Sequence, residues 1–213
     1  MGKTIICDTR GIIYQEGVTA LIDIGDAEAL QELIWQIAKK GMMIAEVGSW
    51  MGGTTALLAR AVASIEGKVF AIDHWLGTPE TWERRVGKSM DVYAYFKGNM
   101  VDLGVWDAIH PLVMSSQMAS KIFAALILDM VFIDADHSYE AVKQDILGWL
   151  PKLKHSGTLC GHDANRPSVI KALDECLGNS YSIMPNSLVW YIHGKPLQEA
   201  RRRLKDKGGQ EAL

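Results

Sequence analysis

Ala45-Glu46-Val47-Gly48-Ser49-Trp50-Met51-Gly52-Gly53-Thr54-Thr55 is the stretch that decides the fold of this 213-residue chain. Before it, Met42 to Val47 is a short apolar run of the kind a buried strand shows, and Gly48 stops it. After it, a helix beginning near Thr54 presents Leu57, Leu58, Ala61 and Val62 at helical spacing. Strand, glycine turn and helix together make a ligand-binding βα unit. Gly48 and Gly52 let the backbone turn sharply and come close to a ligand. A dinucleotide-binding turn would read GxGxxG, but Trp50 fills the place of the second glycine, where a pyrophosphate needs bare backbone. That argues against a nicotinamide-dependent oxidoreductase. Glu46, two residues before the first glycine, instead favours a ligand that carries an ammonium group.

Outward from this turn, strand and helix patterns alternate, as in a mostly parallel sheet covered on both faces. Ala27, Leu30, Leu33, Ile34 and Ile37 form a helical stripe that Gly41 ends. Lys68 to Ile72 reads as a strand ending at Asp73, Ile109 to Met114 as a strand, and Ser116 to Ala125 as a helix. Met130 to Ile133 is a strand ending at Asp134, followed by a helix from Ser138 to about Leu153. Gly157 to Gly161 is a strand ending at His162-Asp163, and Pro167 to Leu177 is helical. Tyr181 to Met184 and Leu188 to His193 read as an antiparallel pair around Pro185-Asn186. The expected fold is therefore α/β and Rossmann-like: seven strands, mostly parallel with one reversed, and helices on both faces. Residues 74–107 interrupt the rhythm with Trp75, Trp82, Tyr93, Tyr95, Phe96 and Trp106, and are expected to form a partly helical lid over the cleft. The basic run from Lys195 to the end is expected to be a solvated helix end.

Polar residues stand at the carboxyl ends of five successive strands: Glu46, Asp73, Ser116-Gln117, Asp134 and His162-Asp163. Open α/β sheets bind ligands at that edge. Packing alone does not explain the pattern, because a buried carboxylate is costly unless it is paired or liganded. Asp73 is placed to accept two hydrogen bonds from a ribose diol.

The bulk composition narrows the setting. Hydrophobic residues make up 48% and charged residues 22%, an ordinary globular balance for one domain spanning residues 1–213. A net charge of −3 gives no reason to expect nucleic acid as a partner. The most apolar run, Ile122 to Ile133, contains Asp129 and falls short of the roughly 20 residues of a membrane span. Cys7, Cys160 and Cys176 form no CxxC pair and are expected to be reduced thiols in a cytoplasmic protein. Gly2-Lys3-Thr4 lacks the upstream glycine of a P-loop.

Residues 45–55 with Ile72-Asp73 resemble the cofactor-binding region of class I S-adenosylmethionine-dependent methyltransferases. Within that superfamily, Phe132-Ile133-Asp134-Ala135-Asp136-His137-Ser138-Tyr139-Glu140 resembles the metal-dependent O-methyltransferases of sugars and natural products, the cephalosporin-hydroxylase-like branch. Catechol O-methyltransferase is a more distant likeness. The resemblance implies that Glu46 and the turn of Gly48, Ser49, Trp50, Gly52 and Thr54 hold the methionine end of the cofactor, and that Asp73 holds its ribose. It implies adenine contacts from Ser116 and Gln117, with Trp75 packing nearby and His74 within reach. Asp134, His162 and Asp163 match three metal-ligand positions, with Asp134 also at the cofactor. The middle position normally carries an acid or an amide, so His162 departs from the pattern. Mg²⁺ or Mn²⁺ is the expected ion, and an imidazole suits Mn²⁺, Fe²⁺ or Zn²⁺ better than Mg²⁺.

His137 occupies the offset where the catechol enzymes place a basic lysine, and it is the expected general base; Asp136 is its rival. Alternatively, Asp136 and Ser138 only cap the following helix. The expected reaction is methyl transfer to a hydroxyl of a small sugar or secondary metabolite, and a homodimer is the expected assembly from the family resemblance and general base rates. A metal-free methyltransferase and a non-catalytic cofactor-binding module are the competing readings.

Overall fold

The computed structural model describes residues 4–7, 13–16 and 22–207. A two-stranded antiparallel hairpin, β1 (Thr4–Cys7) and β2 (Ile13–Glu16), precedes the main sheet. The sheet is built from β3 (Met43–Val47), β4 (Lys68–Asp73), β5 (Ile109–Val113), β6 (Leu128–Ile133), β7 (Leu153–Gly161), β8 (Ser182–Ile183) and β9 (Trp190–His193). Its seven strands run in the order β5-β4-β3-β6-β7-β9-β8, and β9 is antiparallel to both of its neighbours. This is the α/β, Rossmann-like arrangement expected, with the reversed strand supplied by the closing pair.

The period-2 pattern of the central strand explains why two helical layers form. Every residue of β6 is buried. Met130 and Phe132 pack into one apolar layer, with Leu30, Leu33 and Ile34 of α1 (Ile24–Ile37) and Leu57 and Leu58 of α2 (Gly53–Ala63). Val131 and Ile133 face the opposite layer, with Val142, Ile146 and Trp149 of α6 (Tyr139–Trp149) and Leu173 of α7 (Pro167–Leu177). Asp129, buried at the amino end of β6, is paired with Lys39 at 2.6 Å and Lys154 at 2.9 Å. That carboxylate is structural: a buried charge with its cations beside it.

The 74–107 insertion divides in two. α3 (Trp82–Ser89) buries no residue, whereas α4 (Val92–Asp102) buries Val92, Phe96 and Met100. These three lie four residues apart, one per helical turn, so the second half is driven into the core beside α2 rather than left above it. The segment after it, α5 (Ser116–Ile122), is shorter than the sequence pattern suggests.

The basic tail also differs from a solvated end. α8 (Gly194–Lys207) buries Leu197 and Ala200. Arg201 donates to the Leu150 carbonyl at 2.9 Å and Arg203 to the Leu177 carbonyl, so these side chains satisfy the ends of other helices while Arg202 and Lys205 face solvent. Cys160 and Cys176 are buried and belong to no disulfide among the described residues; the side chain of Cys7, Gly2 and residues 208–213 lie outside the described residues. Among the described residues no helix is long and apolar enough to cross a membrane.

Candidate active site

The turn after β3 is organised by two carboxylates. Glu46 is fully buried; its Oε2 accepts the Ser49 hydroxyl at 2.7 Å and the Thr55 hydroxyl. Its Oε1 is buried with no hydrogen-bond partner among the described residues. Burial pushes the carboxyl up to about 8, against the lowering by Thr55 and Ser49, and the charges of Asp134 and Asp73 push the same way. A buried, half-satisfied acid at a glycine turn fits a ligand that brings a cation and donors, which is what the ammonium of a methionine moiety carries.

Asp73 ends β4 and binds backbone. Its Oδ2 accepts the amides of Ser49 at 3.1 Å and Trp50 at 2.8 Å, and its Oδ1 accepts the amide of Trp75 at 2.7 Å. Trp50 sits at φ +43, a conformation disfavoured for a bulky side chain, and the Asp73 carboxylate holds it there. Gly48, at φ +91, is needed for a different neighbour than expected: a Cβ there would lie 2.1 Å from the Asp134 carbonyl oxygen. The bare backbone lets the ends of β3 and β6 meet, which brings Asp134 beside the Glu46 turn. A Cβ on Gly52 would lie 2.4 Å from Cε of Met100, so α4 braces the turn from outside.

The remaining residues expected at the cofactor take varied positions. Thr54 lies half-buried in the first turn of α2, one residue before the Thr55 that reaches Glu46. Trp75 is buried, donates to the Trp50 carbonyl at 2.7 Å and packs on Tyr93 and Phe96, so it supports the turn from the core. His74 is exposed, and its Nδ1 accepts the Leu76 amide at 3.0 Å. Ser116 is engaged with α6, donating to Asp145 and accepting from Trp149 Nε1 at 2.8 Å. Gln117 is exposed beside it.

At the neighbouring strand ends a second cluster forms. One ligand atom each from Asp134, His162 and Asp163 lies within 4.8 Å of the others. Among the described residues no lysine neutralises these acids, in contrast to Asp129 at the opposite edge of the sheet. Instead, His137 Nε2 lies 2.6 Å from Asp163 and 3.4 Å from Asp134, and Arg166 lies 3.0 Å from Asp163. His162 Nε2 lies 2.8 Å from Asp26 of α1. Burial pulls both imidazoles down, but the surrounding carboxylates outweigh it and raise each to about 9. Asp163, despite its burial, is held well below the usual carboxylate range by His137, His162 and Arg166. The cluster therefore draws positive charge, and three convergent donors of this kind fit a divalent ion. Asp136 points elsewhere in its bonding: its Oδ1 accepts the Ser138 amide at 2.8 Å, while Ser138 caps α6. Asp134, Asp136, His137 and His162 line one pocket, with Val142, Val169 and Trp190 as its apolar wall.

The family model described as Methyltransferase domain matches residues 45–164, the span that holds both carboxylate clusters except Asp26. The chain belongs to this methyltransferase family. Solved structures with the same fold include cofactor-bound Rv0187 from MTB, at 16% identity and TM-score 0.60 over 84% of each chain. A Staphylococcus aureus protein assigned as a caffeoyl-CoA O-methyltransferase matches at 17% identity and TM-score 0.59, over 82% of this chain and 87% of that one. CalS11, a TDP-rhamnose 3'-O-methyltransferase of calicheamicin biosynthesis, matches at 14% identity and TM-score 0.52, over 78% of this chain and 76% of that one. This methyltransferase uses S-adenosylmethionine.

Thr55, Asp26 and Arg166 of the candidate site escape sequence reasoning. Thr55 is adjacent to a residue already singled out, so its role is a matter of helix phase. Asp26 is 136 residues from His162, and only the fold joins them.

Proposed function

We propose that this methyltransferase transfers the methyl group of S-adenosylmethionine to a hydroxyl of a small sugar or secondary metabolite, with a divalent metal at Asp134, His162 and Asp163. The observation that carries this reading is the cluster itself: three ligand atoms within 4.8 Å, one strand end away from the Glu46 turn. Likeness to CalS11 and to the assigned caffeoyl-CoA enzyme supports oxygen as the acceptor atom.

Glu46 and the turn from Gly48 to Thr54 hold the methionine end of the cofactor, and Asp73 faces the ribose while it fixes the turn. Gln117, exposed and only in long contact with Asp145 at 3.4 Å, faces the adenine, whereas the Ser116 hydroxyl is occupied by Asp145 and Trp149. S-adenosylmethionine supplies an electrophilic methyl, and a divalent ion supplies a lowered hydroxyl pKa. His137 accepts the acceptor's proton: it lies against both ligand carboxylates, whereas Asp136 is engaged with the backbone amide of Ser138. A cation on Asp134 and Asp163 would compete with the protonated imidazole for the same oxygens and free His137 to act as a base.

The test is formation of S-adenosylhomocysteine over a panel of hydroxyl-bearing sugars, nucleotide-sugars and phenols, in chelator and then with Mn²⁺ or Mg²⁺ restored. Turnover that chelator abolishes and metal restores is the expected result. Turnover indifferent to chelator would point to the metal-free mechanism, and cofactor binding with no acceptor turned over would favour a binding module.

A further inference from the structure

The imidazole in the carboxylate cluster is fixed from behind. His162 is more than nine-tenths buried, and its Nε2 lies 2.8 Å from Oδ2 of Asp26, which is itself buried. Among the described residues, every other side-chain contact of Asp26 is with a backbone donor: its Oδ1 accepts the Leu188 amide at 2.7 Å and its Oδ2 the Asp23 amide at 3.3 Å. A carboxylate bonded only to donors has one way to meet an imidazole nitrogen, as acceptor from Nε2–H. The proton is thus held on Nε2, and Nδ1 is the atom turned toward the cluster. Nδ1 lies 4.0 Å from Asp134 and 3.8 Å from Asp163, beyond hydrogen-bond reach of both.

This is the carboxylate–imidazole pairing that orients a histidine ligand and raises its basicity. It converts an all-oxygen donor set, suited to Mg²⁺, into one containing a directed nitrogen, which suits first-row transition ions. The frame is rigid. Asp26 belongs to the capping box at the start of α1, and the His162 amide donates to the Ile133 carbonyl of the neighbouring strand at 3.1 Å. The His162 carbonyl accepts Trp190 Nε1 at 3.1 Å.

We infer that Asp26 is a positioning residue that commits His162 Nδ1 to metal binding, and that the site therefore prefers a divalent transition ion to Mg²⁺. The inference rests on the metal reading above.

Calorimetric titration of the full chain with Co²⁺ and with Mg²⁺ tests it, comparing the protein with its Asp26→Asn and His162→Asn variants. An amide at position 26 keeps the size of the side chain but can donate to Nε2, which would move the imidazole proton to Nδ1. Asp26→Asn is expected to weaken Co²⁺ about 10-fold to 100-fold, the usual scale for losing such a support, and Mg²⁺ much less. Its cofactor affinity in chelator should be unchanged. His162→Asn, which restores an oxygen donor, is expected to lower the Co²⁺-to-Mg²⁺ affinity ratio at least about 10-fold. A purely structural Asp26 would instead leave the Co²⁺-to-Mg²⁺ ratio of Asp26→Asn at the parent value while lowering the melting temperature, and this would overturn the inference. An unchanged Co²⁺ affinity in Asp26→Asn would do the same while leaving the metal site standing. Absence of binding by either ion to the parent protein would remove both the inference and the metal-assisted mechanism. If Asp26→Asn does not fold, the ratio in His162→Asn decides: a drop supports a ligating Nδ1, and an unchanged ratio overturns it.

Discussion

Nε2 of His137 lies 2.6 Å from Oδ2 of Asp163, so the proposed general base contacts a candidate metal ligand. The contact joins the ends of β6 and β7 across the pocket. It also ties base strength to the occupancy of Asp163, because the carboxylate that keeps the imidazole charged is one that a metal would use.

Replacement of His137 separates catalysis from binding. His137→Ala is expected to lower kcat by about 10²-fold or more, the scale of a lost general base, while cofactor affinity in calorimetry stays within about twofold. Asp136→Ala, which removes only the acceptor of the Ser138 amide, is expected to change kcat by less than about threefold. The reverse order of effects would assign the base to Asp136.

Glu46 sets stability against binding. Its Oε1 is buried and unpaired, so Glu46→Gln removes an uncompensated charge while keeping the side chain's size. The variant is expected to melt at or above the parent temperature at pH 9 and to bind S-adenosylmethionine about 10-fold to 100-fold more weakly, corresponding to one charge-assisted hydrogen bond of about 1.5–3 kcal/mol. Retained affinity would remove Glu46 from the methionine site.

Asp73 carries a double load. Asp73→Ala strips the acceptor from the Ser49, Trp50 and Trp75 amides and releases the left-handed Trp50. It should weaken cofactor binding sharply and also lower the melting temperature, by about 2–4 °C for each kcal/mol lost in a chain of this size. Unchanged cofactor affinity would take Asp73 out of the ribose site.

The same cluster predicts a direction for pH. His137 and His162 are raised from 6.5 to about 9, and Glu46 from 4.5 to about 8. In each case the folded chain holds a proton that the unfolded chain has released, so stability falls as pH rises through these windows. Asp26, Asp129 and Asp163 are lowered, and their contribution is lost only as pH falls through the acid range. The chain in chelator should therefore lose thermal stability between about pH 6.5 and 9. Saturating metal should flatten that slope, since it replaces the protons on the cluster. A melting temperature that rises across this window would contradict the electrostatic account.

Much of the fold is written in local pattern. The helix from Pro167 to Leu177 has its apolar stripe and a proline at its start, and its observed bounds are those of the pattern. The strand ends at Asp73 and Asp134 are legible because each follows an unbroken apolar run, and the end at His162 because Leu159-Cys160-Gly161 precedes it. What local pattern does not reveal is which neighbour each residue meets. Gly48 is bare for the backbone of Asp134, and Trp75 packs into the core, because the sheet order sets those contacts. The Arg201 and Arg203 contacts depend on where α8 docks, and a charge run reads the same whether docked or solvated. Asp26 looks like an ordinary helix cap; only the return of β7 and the Leu188 loop beside α1 gives it His162.

The most direct measurement is calorimetric titration of the purified chain with S-adenosylmethionine in chelator, followed by Mn²⁺. The expected result is cofactor binding in chelator, then one Mn²⁺ per chain that is lost on replacing Asp134 or Asp163. Absence of cofactor binding under both conditions would contradict the account, and cofactor binding with no Mn²⁺ uptake would confine it to a metal-free methyltransferase.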